Sequence, residues 1–325
     1  MKAIVYHRSS SGETLKLKEI EKPRPADDEV LIKVHAASVN PFDSHTLRHS
    51  LLRRVVSSIS KLKVTRPGRD VAGQVEAIGR NITQFKVGDE VFGTCNGAFA
   101  EYACGRESAF AIKPPNVSFE QAASLPIAGL TALQGLRDKA RIQPDQKILI
   151  NGASGGVGTF AVQIAKTLGA EVTGVCSTKN LEMVRSIGAN RVIDYTQEDF
   201  TSQGRHYGVI FDLVANHSFS QLRRALTRDG IYIGAGVLGI DSMMKVLTDQ
   251  ITTSVRSPFV SQKFQSLMAR LNQKDLADLA SLVAEGKVRP IIDRRFALNE
   301  VPDAVHYLEL RHTSGKVIIN VDQAR

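Results

Sequence analysis

The run Ile148-Leu149-Ile150-Asn151-Gly152-Ala153-Ser154-Gly155-Gly156-Val157-Gly158 sets a glycine-rich turn between two apolar segments. Closely spaced glycines let backbone amides approach an anion, and a helix starting there would turn its positive end toward it. Matched to G-x-G-x-x-G, Ala153 takes the first glycine position, Gly155 the second and Gly158 the third. Gly155 would admit a pyrophosphate and Gly158 would let helix and strand pack closely, with Ser154, Gly156 and Val157 completing the cradle. A tight turn without a ligand is the plain alternative. The strand before the turn, the helix after it and further units of the same kind favour a dinucleotide.

About 20 residues further on, an acidic residue would select the ribose 2′-hydroxyl of NAD. Here the chain reads Cys176-Ser177-Thr178-Lys179-Asn180, with no carboxylate. Hydroxyls at Ser177 and Thr178 and the cation of Lys179 suit a 2′-phosphate, so NADPH is expected over NADH. Tyr195 would cover the adenosine phosphate end, packing being its alternative role. The small residues Gly234, Ala235 and Gly236 would let a nicotinamide approach the backbone.

Reduction of a carbonyl needs an acceptor activated by a metal, by a proton donor or by its own conjugation. A Tyr-x-x-x-Lys pair is excluded, because the six tyrosines are followed four residues later by Ser10, Arg106, Asp199, Phe211, Gly236 and Arg311. The three cysteines, Cys95, Cys104 and Cys176, form no metal-knuckle pair and no disulfide framework, and read as small buried hydrophobes in a reducing compartment.

The elements that must position these residues follow from hydrophobic patterning. With 325 residues, 42% apolar and 23% charged, about two domains of roughly 150 residues each are expected, and disorder and fibrous classes are excluded. The first stretch carries short β-rich segments at Lys2 to Tyr6, Glu29 to Ala37, Ala72 to Ile78, Glu90 to Gly93 and Phe99 to Ala103. Strands and helices then alternate: strand Lys147 to Asn151, helix Gly156 to Leu168, strand Glu171 to Cys176, helix Leu181 to Ile187, and onward to the strand at Ile231 to Gly234. That alternation predicts a doubly wound parallel sheet. A mostly helical stretch to Gly286 and strands near 290–296 and 316–321 complete the chain. The fold class is therefore α/β, with residues 1–118 a β-rich domain completed by 263–325 and residues 119–262 a Rossmann domain.

Forty-two basic against 33 acidic side chains give a net charge of +9, which favours an anionic ligand. The segment Leu47 to Arg66 interleaves six cations with aliphatics and reads as a solvated helix or flap. It lacks the aromatics that stack on unpaired bases, so nucleic acid is not an expected partner. The N-terminus shows no apolar core of signal-peptide length, and no stretch reaches the ~20 residues of a membrane span. A cytoplasmic location without integral membrane contact is expected.

Five ordered motifs carry a family resemblance: Ala37-Ser38-Val39-Asn40-Pro41-Phe42-Asp43, Pro67-Gly68-Arg69-Asp70-Val71-Ala72-Gly73, Val87-Gly88-Asp89-Glu90-Val91-Phe92-Gly93, Leu125-Pro126-Ile127-Ala128-Gly129-Leu130-Thr131-Ala132, and Ala153 to Gly158. With the tail Gly286 to Pro290 and Gly315 to Ile319, they resemble the zinc-independent quinone and enone oxidoreductases of the medium-chain dehydrogenase/reductase superfamily. The resemblance implies a GroES-like catalytic domain beside the Rossmann domain. It places Asn40 next to the nicotinamide with an amide donor for the substrate oxygen, Thr131 along the nicotinamide pocket and Asn320 on its other side. Asp43 would orient the Asn40 loop or take part in catalysis, and His45 could donate a proton, solvent being the default donor.

Zinc-using relatives carry a cysteine near the Asn40 segment and a His-Glu pair where this chain has Arg69-Asp70, so no tetrahedral zinc set is expected. A conjugated acceptor, an enone, enal or quinone, delocalises the charge it gains and needs no metal. The expected activity is NADPH-dependent reduction of such acceptors by a homodimer. The alternative is a non-catalytic NADPH- or RNA-binding member of the same fold.

Overall fold

The computed structural model describes residues 1–9, 12–43, 66–204, 206–235, 261–310 and 313–322. Two compact units emerge: Met1–Ile127 with Leu271–Glu285 and Ile292–Arg325, and Ala128–Arg270 with Gly286–Ile291.

The first unit is strand-built. A hairpin pairs β1 (Lys2–Ser9) with β2 (Gly12–Glu19), and a seven-stranded sheet runs β14-β15-β3-β4-β5-β7, with β6 pairing on β3. Its central strand β3 (Glu29–Val39) bonds antiparallel to β4 (Asp70–Ile78), β6 (Tyr102–Arg106) and β15 (Lys316–Asn320). A central strand covered on both faces needs a near-continuous apolar run, and Ala36, Ala37, Ser38 and Val39 are all buried. The outer strands are β5 (Glu90–Thr94), β7 (Phe110–Ile112) and β14 (Ile292–Ala297). The core gathers Ile4, Ile32, Val75, Phe99, Phe110 and Val317, each worth about 1.5–3 kcal/mol of burial.

Among the described residues, the second unit forms a six-stranded parallel sheet in the order β10-β9-β8-β11-β12-β13. Its strands are β8 (Lys147–Asn151), β9 (Glu171–Cys176), β10 (Arg191–Asp194), β11 (Tyr207–Asp212), β12 (Leu226–Ala235) and β13 (Lys263–Leu267). Helices Gly156–Thr167, Leu181–Ser186 and Phe219–Ala225 alternate with them. Ser118 and Ser218 each close a reciprocal cap with the glutamine three residues on, which fixes two helix starts. The strand order reverses between β8 and β11, so ligands are expected at the carboxyl ends of these two strands.

Four readings change. The apolar run Phe99 to Ala103 is only in part the strand: Phe99 and Ala100 are fully buried and meet β1 through an isolated Ala3–Ala100 bridge, and the ladder of β6 begins at Tyr102. Strand β2 escapes a search for apolar runs because Leu15 and Leu17 alternate with Lys16 and Lys18. Residues 263–267 form a strand parallel to β12 and so belong to the Rossmann sheet, not to the completing tail. Helix Phe119–Ser124 packs on β3 and β4 and therefore joins the strand-built unit, moving the division from 118 to 127.

Candidate functional site

The glycine-rich turn leaves β8 at Asn151 and enters helix Gly156–Thr167. Gly152 holds φ at +86°, a left-handed conformation that favours glycine, while the amides of Gly152 and Ala153 donate to Val175 O on β9 at 3.2 and 2.9 Å. The turn glycine is thus Gly152, and Ala153, aligned to the first motif position, is a buried packing residue. A Cβ on Gly158 would lie 2.1 Å from Gly152 O, so this glycine is required for the helix to sit on the turn. A Cβ on Gly155 would meet nothing nearer than Gly152 O at 3.4 Å, so the fold itself does not demand a glycine there. Among the described residues no side chain caps the helix, and the amides of Gly156, Val157 and Gly158 lie in its first turn, without intrahelical acceptors. A space that a side chain at Gly155 would fill, faced by uncapped amides, fits a pyrophosphate.

At the end of β9, Ser177 is half-buried and Lys179 exposed, on a short 3-10 turn. Tyr195 is 62% exposed. The expectation that no carboxylate stands here needs correction. Parallel pairing sets Asp194 of β10 opposite Cys176, and Thr178 Oγ1 donates to Asp194 Oδ2 at 2.6 Å. The Thr178 hydroxyl proton is therefore committed to Asp194. The sequence hid this because the acid lies 18 residues from Cys176 and only strand pairing brings it alongside.

Asp212 closes β11 with 1% exposure, in register with Asn151 of β8 and Gly234 of β12. Its Oδ1 accepts from Asn151 Nδ2 at 2.9 Å and from the amides of Val214 and Ala215, and its Oδ2 accepts from Tyr232 OH at 3.1 Å. The network ties the carboxyl ends of three adjacent strands together at the strand-order reversal. A Cβ on Gly234 would meet Tyr232 OH at 3.2 Å, so Gly234 makes room for that phenol. Ala235 is buried at 4%, and Gly236 lies outside the described residues. Thr131 sits half-buried on helix Pro126–Gln134.

The strand-built unit holds a buried polar cluster. Lys316 Nζ donates to Asn40 Oδ1 at 2.7 Å and lies 3.6 Å from Asp70 Oδ2. Asn40 Nδ2 donates to Asp70 Oδ2 at 2.9 Å and to Ser38 O at 3.4 Å. Ser38 Oγ and the Ile127 amide complete the Asp70 carboxylate. With 3% exposure and every amide group engaged, Asn40 is a structural hub and not a free donor for a substrate. Asp43 accepts from the Asn40 amide at 2.8 Å and closes the Asn40–Asp43 turn. Burial pushes its carboxyl up to about 7, with the nearby Asp70 charge adding to the rise. Burial also pushes Asp70 up and Lys316 down, and their mutual attraction opposes both shifts. Asp70 and Lys316 carried a visible signal: each is a charged residue that opens a strand and runs directly into buried apolar positions.

Asn320 does not present a free amide. It donates to Glu120 Oε1 at 3.0 Å, a carboxylate paired with Arg295 at 2.9 Å. His45 and insert residues 47–65 lie outside the described residues. The residues at the zinc-ligand positions do not fit that ion: Asp70 is bonded to Lys316, Asn40 and Ser38, and Arg69 reaches Asn96 Oδ1 at 2.7 Å. Among the described residues no three His, Cys, Asp or Glu side chains gather. All three cysteines are free, and burial pushes Cys95 up to about 12 and Cys104 and Cys176 up to about 11, which leaves them as inert thiols. No helix among the described residues is long and apolar enough to cross a membrane.

Two family models match the chain: the alcohol dehydrogenase GroES-like domain over residues 26–116 and zinc-binding dehydrogenase over residues 187–319. The chain is 33% identical to the chloroplastic quinone-oxidoreductase homolog of Spinacia oleracea, covering 98% of each. It is 32% identical to the chloroplastic NADPH-dependent alkenal/one oxidoreductase of Arabidopsis thaliana, covering 98% of this chain and 79% of the relative. The quinone oxidoreductase structure from Coxiella burnetii superposes with a TM-score of 0.85 at 30% identity, covering 99% of both chains. The plastid names of the plant relatives overturn the expected cytoplasmic location, which rested on an N-terminus without an apolar core; such a core marks secretion and is no guide to plastid import.

Proposed function

The chain belongs to the quinone and enone oxidoreductase-like family of the medium-chain dehydrogenase/reductase superfamily, and we propose that it is an NADPH-dependent, zinc-independent reductase of α,β-unsaturated carbonyls or quinones. The observation that carries the reading is the uncapped helix start at Gly155–Gly158, open at Gly155 and closed at Gly158, at the carboxyl end of the parallel sheet. Its amides would hold the pyrophosphate, and Ser177 and Lys179 the 2′-phosphate. Asp212, Asn151 and Tyr232 fix the strand ends beside the nicotinamide's expected place. When bound, the cofactor supplies a hydride.

Among the described residues, Asn40 is committed internally and the zinc-ligand positions hold Asp70 and Arg69, so none of these offers a strong electrophile to an isolated ketone. An acceptor that spreads its own developing charge fits that environment. The Asn40–Asp43 turn, braced by Asp70 and Lys316, acts in this reading as rigid support. The names of the relatives, a quinone oxidoreductase homolog and an alkenal/one oxidoreductase, support the same substrate class. A homodimer is part of the proposal. Among the described strands β12 lies between β11 and β13, so it is not an edge of the parallel sheet.

The test is NADPH oxidation by purified protein with a panel of enones, enals and quinones beside their saturated analogues. Turnover confined to the conjugated members supports the proposal. Tight NADPH binding with no oxidation across the panel would favour the non-catalytic alternative.

A further inference from the structure

The joint between β9 and β10 carries two opposite charges around one position. Ser177 and Lys179, the residues offered to a 2′-phosphate, flank Thr178, and Thr178 Oγ1 is bonded to Asp194 Oδ2 at 2.6 Å. Asp194 Oδ1 accepts from the amide and hydroxyl of Thr196 at 3.0 and 2.8 Å. These hydrogen bonds, that of Thr178 first, hold the Asp194 carboxyl below the usual carboxylate range, so it is ionised wherever the protein is folded near neutrality. A phosphate reached by Ser177 and Lys179 would lie within one side chain of this carboxylate.

Like charges at such a separation repel even in a solvated setting, by an amount that falls as salt rises. The same bonding also commits the hydroxyl proton of Thr178, which removes one of three donors from a phosphate. We propose that Asp194 is a specificity-determining residue that weakens binding of the 2′-phosphate, so that the preference for NADPH over NADH reflects a balance between Lys179 and Asp194. The inference deepens the NADPH reading and rests on it.

The test uses the full chain and two probes that differ only in the phosphate, adenosine 2′,5′-bisphosphate and adenosine 5′-monophosphate, titrated calorimetrically against wild type and Asp194→Asn. Asparagine keeps one carbonyl oxygen to accept from Thr196, and its Nδ2 can donate to Thr178 Oγ1 in place of accepting from it, so the joint between the strands is kept without the charge. The variant is expected to bind the bisphosphate about three- to tenfold more tightly at low ionic strength, a gain that shrinks toward parity at about 0.5 M salt. Binding of the monophosphate should not tighten. An equal change for both probes, an unchanged bisphosphate affinity or a gain independent of salt would overturn the assignment. Lys179→Met gives the opposite arm, weakening the bisphosphate alone, and its failure to do so would also count against the balance. If wild type binds neither probe, the nucleotide reading falls together with this one. If it binds both but oxidises no NADPH with conjugated acceptors, only the proposed reaction falls, and the Asp194 comparison still reads out.

Discussion

Single residues separate chemistry from support. Lys316 is buried with two carboxylates, and removing one partner of such a group leaves uncompensated charge. Lys316→Met should cost about 3–5 kcal/mol in urea unfolding, and the double variant Lys316→Met with Asp70→Asn should recover much of it. A single variant as stable as wild type would show that the cluster is not held by this ion pair. Asp43 makes a pH-dependent contribution whose sign follows from its raised carboxyl. Between an unfolded value of about 3.9 and the folded value of about 7, the native state binds more protons than the unfolded one. This group's contribution to stability therefore falls as pH rises through that window and is flat above it. Asp43→Asn should remove that component, so that melting temperatures between pH 5 and pH 8 decline less in the variant. Identical profiles would exclude the assignment.

At the scale of the element, the glycine turn makes two opposed predictions from one motif. In Gly158→Ala the new Cβ would meet Gly152 O at 2.1 Å, and backbone has to move. The variant should melt lower and bind NADPH weakly. A Cβ at Gly155 meets nothing nearer than Gly152 O at 3.4 Å and φ there is −77°, so Gly155→Ala should keep a melting temperature near wild type, while Gly155→Val, whose branched side chain reaches into the anion's space, should lose NADPH binding. Equal destabilisation by Gly158→Ala and Gly155→Ala would mean that Gly155 serves packing alone. The strand-turn-helix itself was legible in the sequence, because an apolar run, a glycine cluster and an amphipathic helix each leave a local pattern. Asp194, Asp212 and Tyr232 were not legible as partners. Their meeting depends on which strands pair and in what register, information that no short window contains. Strand β2 was missed for a different reason: Leu15 and Leu17 alternate with Lys16 and Lys18, so no apolar run marks it.

Across the whole molecule, the sequence's five ordered motifs led to the family and to both architectures, the strand-built unit and the parallel sheet. They did not reveal the partners of individual side chains such as Asn40 and Asn320, whose amides are taken up by Lys316, Asp70 and Glu120. A motif fixes the backbone around a residue more firmly than the partner its side chain selects. The net charge of +9 is consistent with an anionic cofactor, and its contribution to NADPH capture should weaken with ionic strength. The central claim is that the acceptor stabilises its own developing charge and that no divalent ion does so. The direct measurement is steady-state NADPH oxidation by chelator-dialysed protein, with an enone and its saturated ketone compared side by side. The account predicts undiminished turnover of the enone and none of the ketone. Loss of enone turnover on dialysis with recovery on adding zinc, or equal turnover of the saturated ketone, would contradict it.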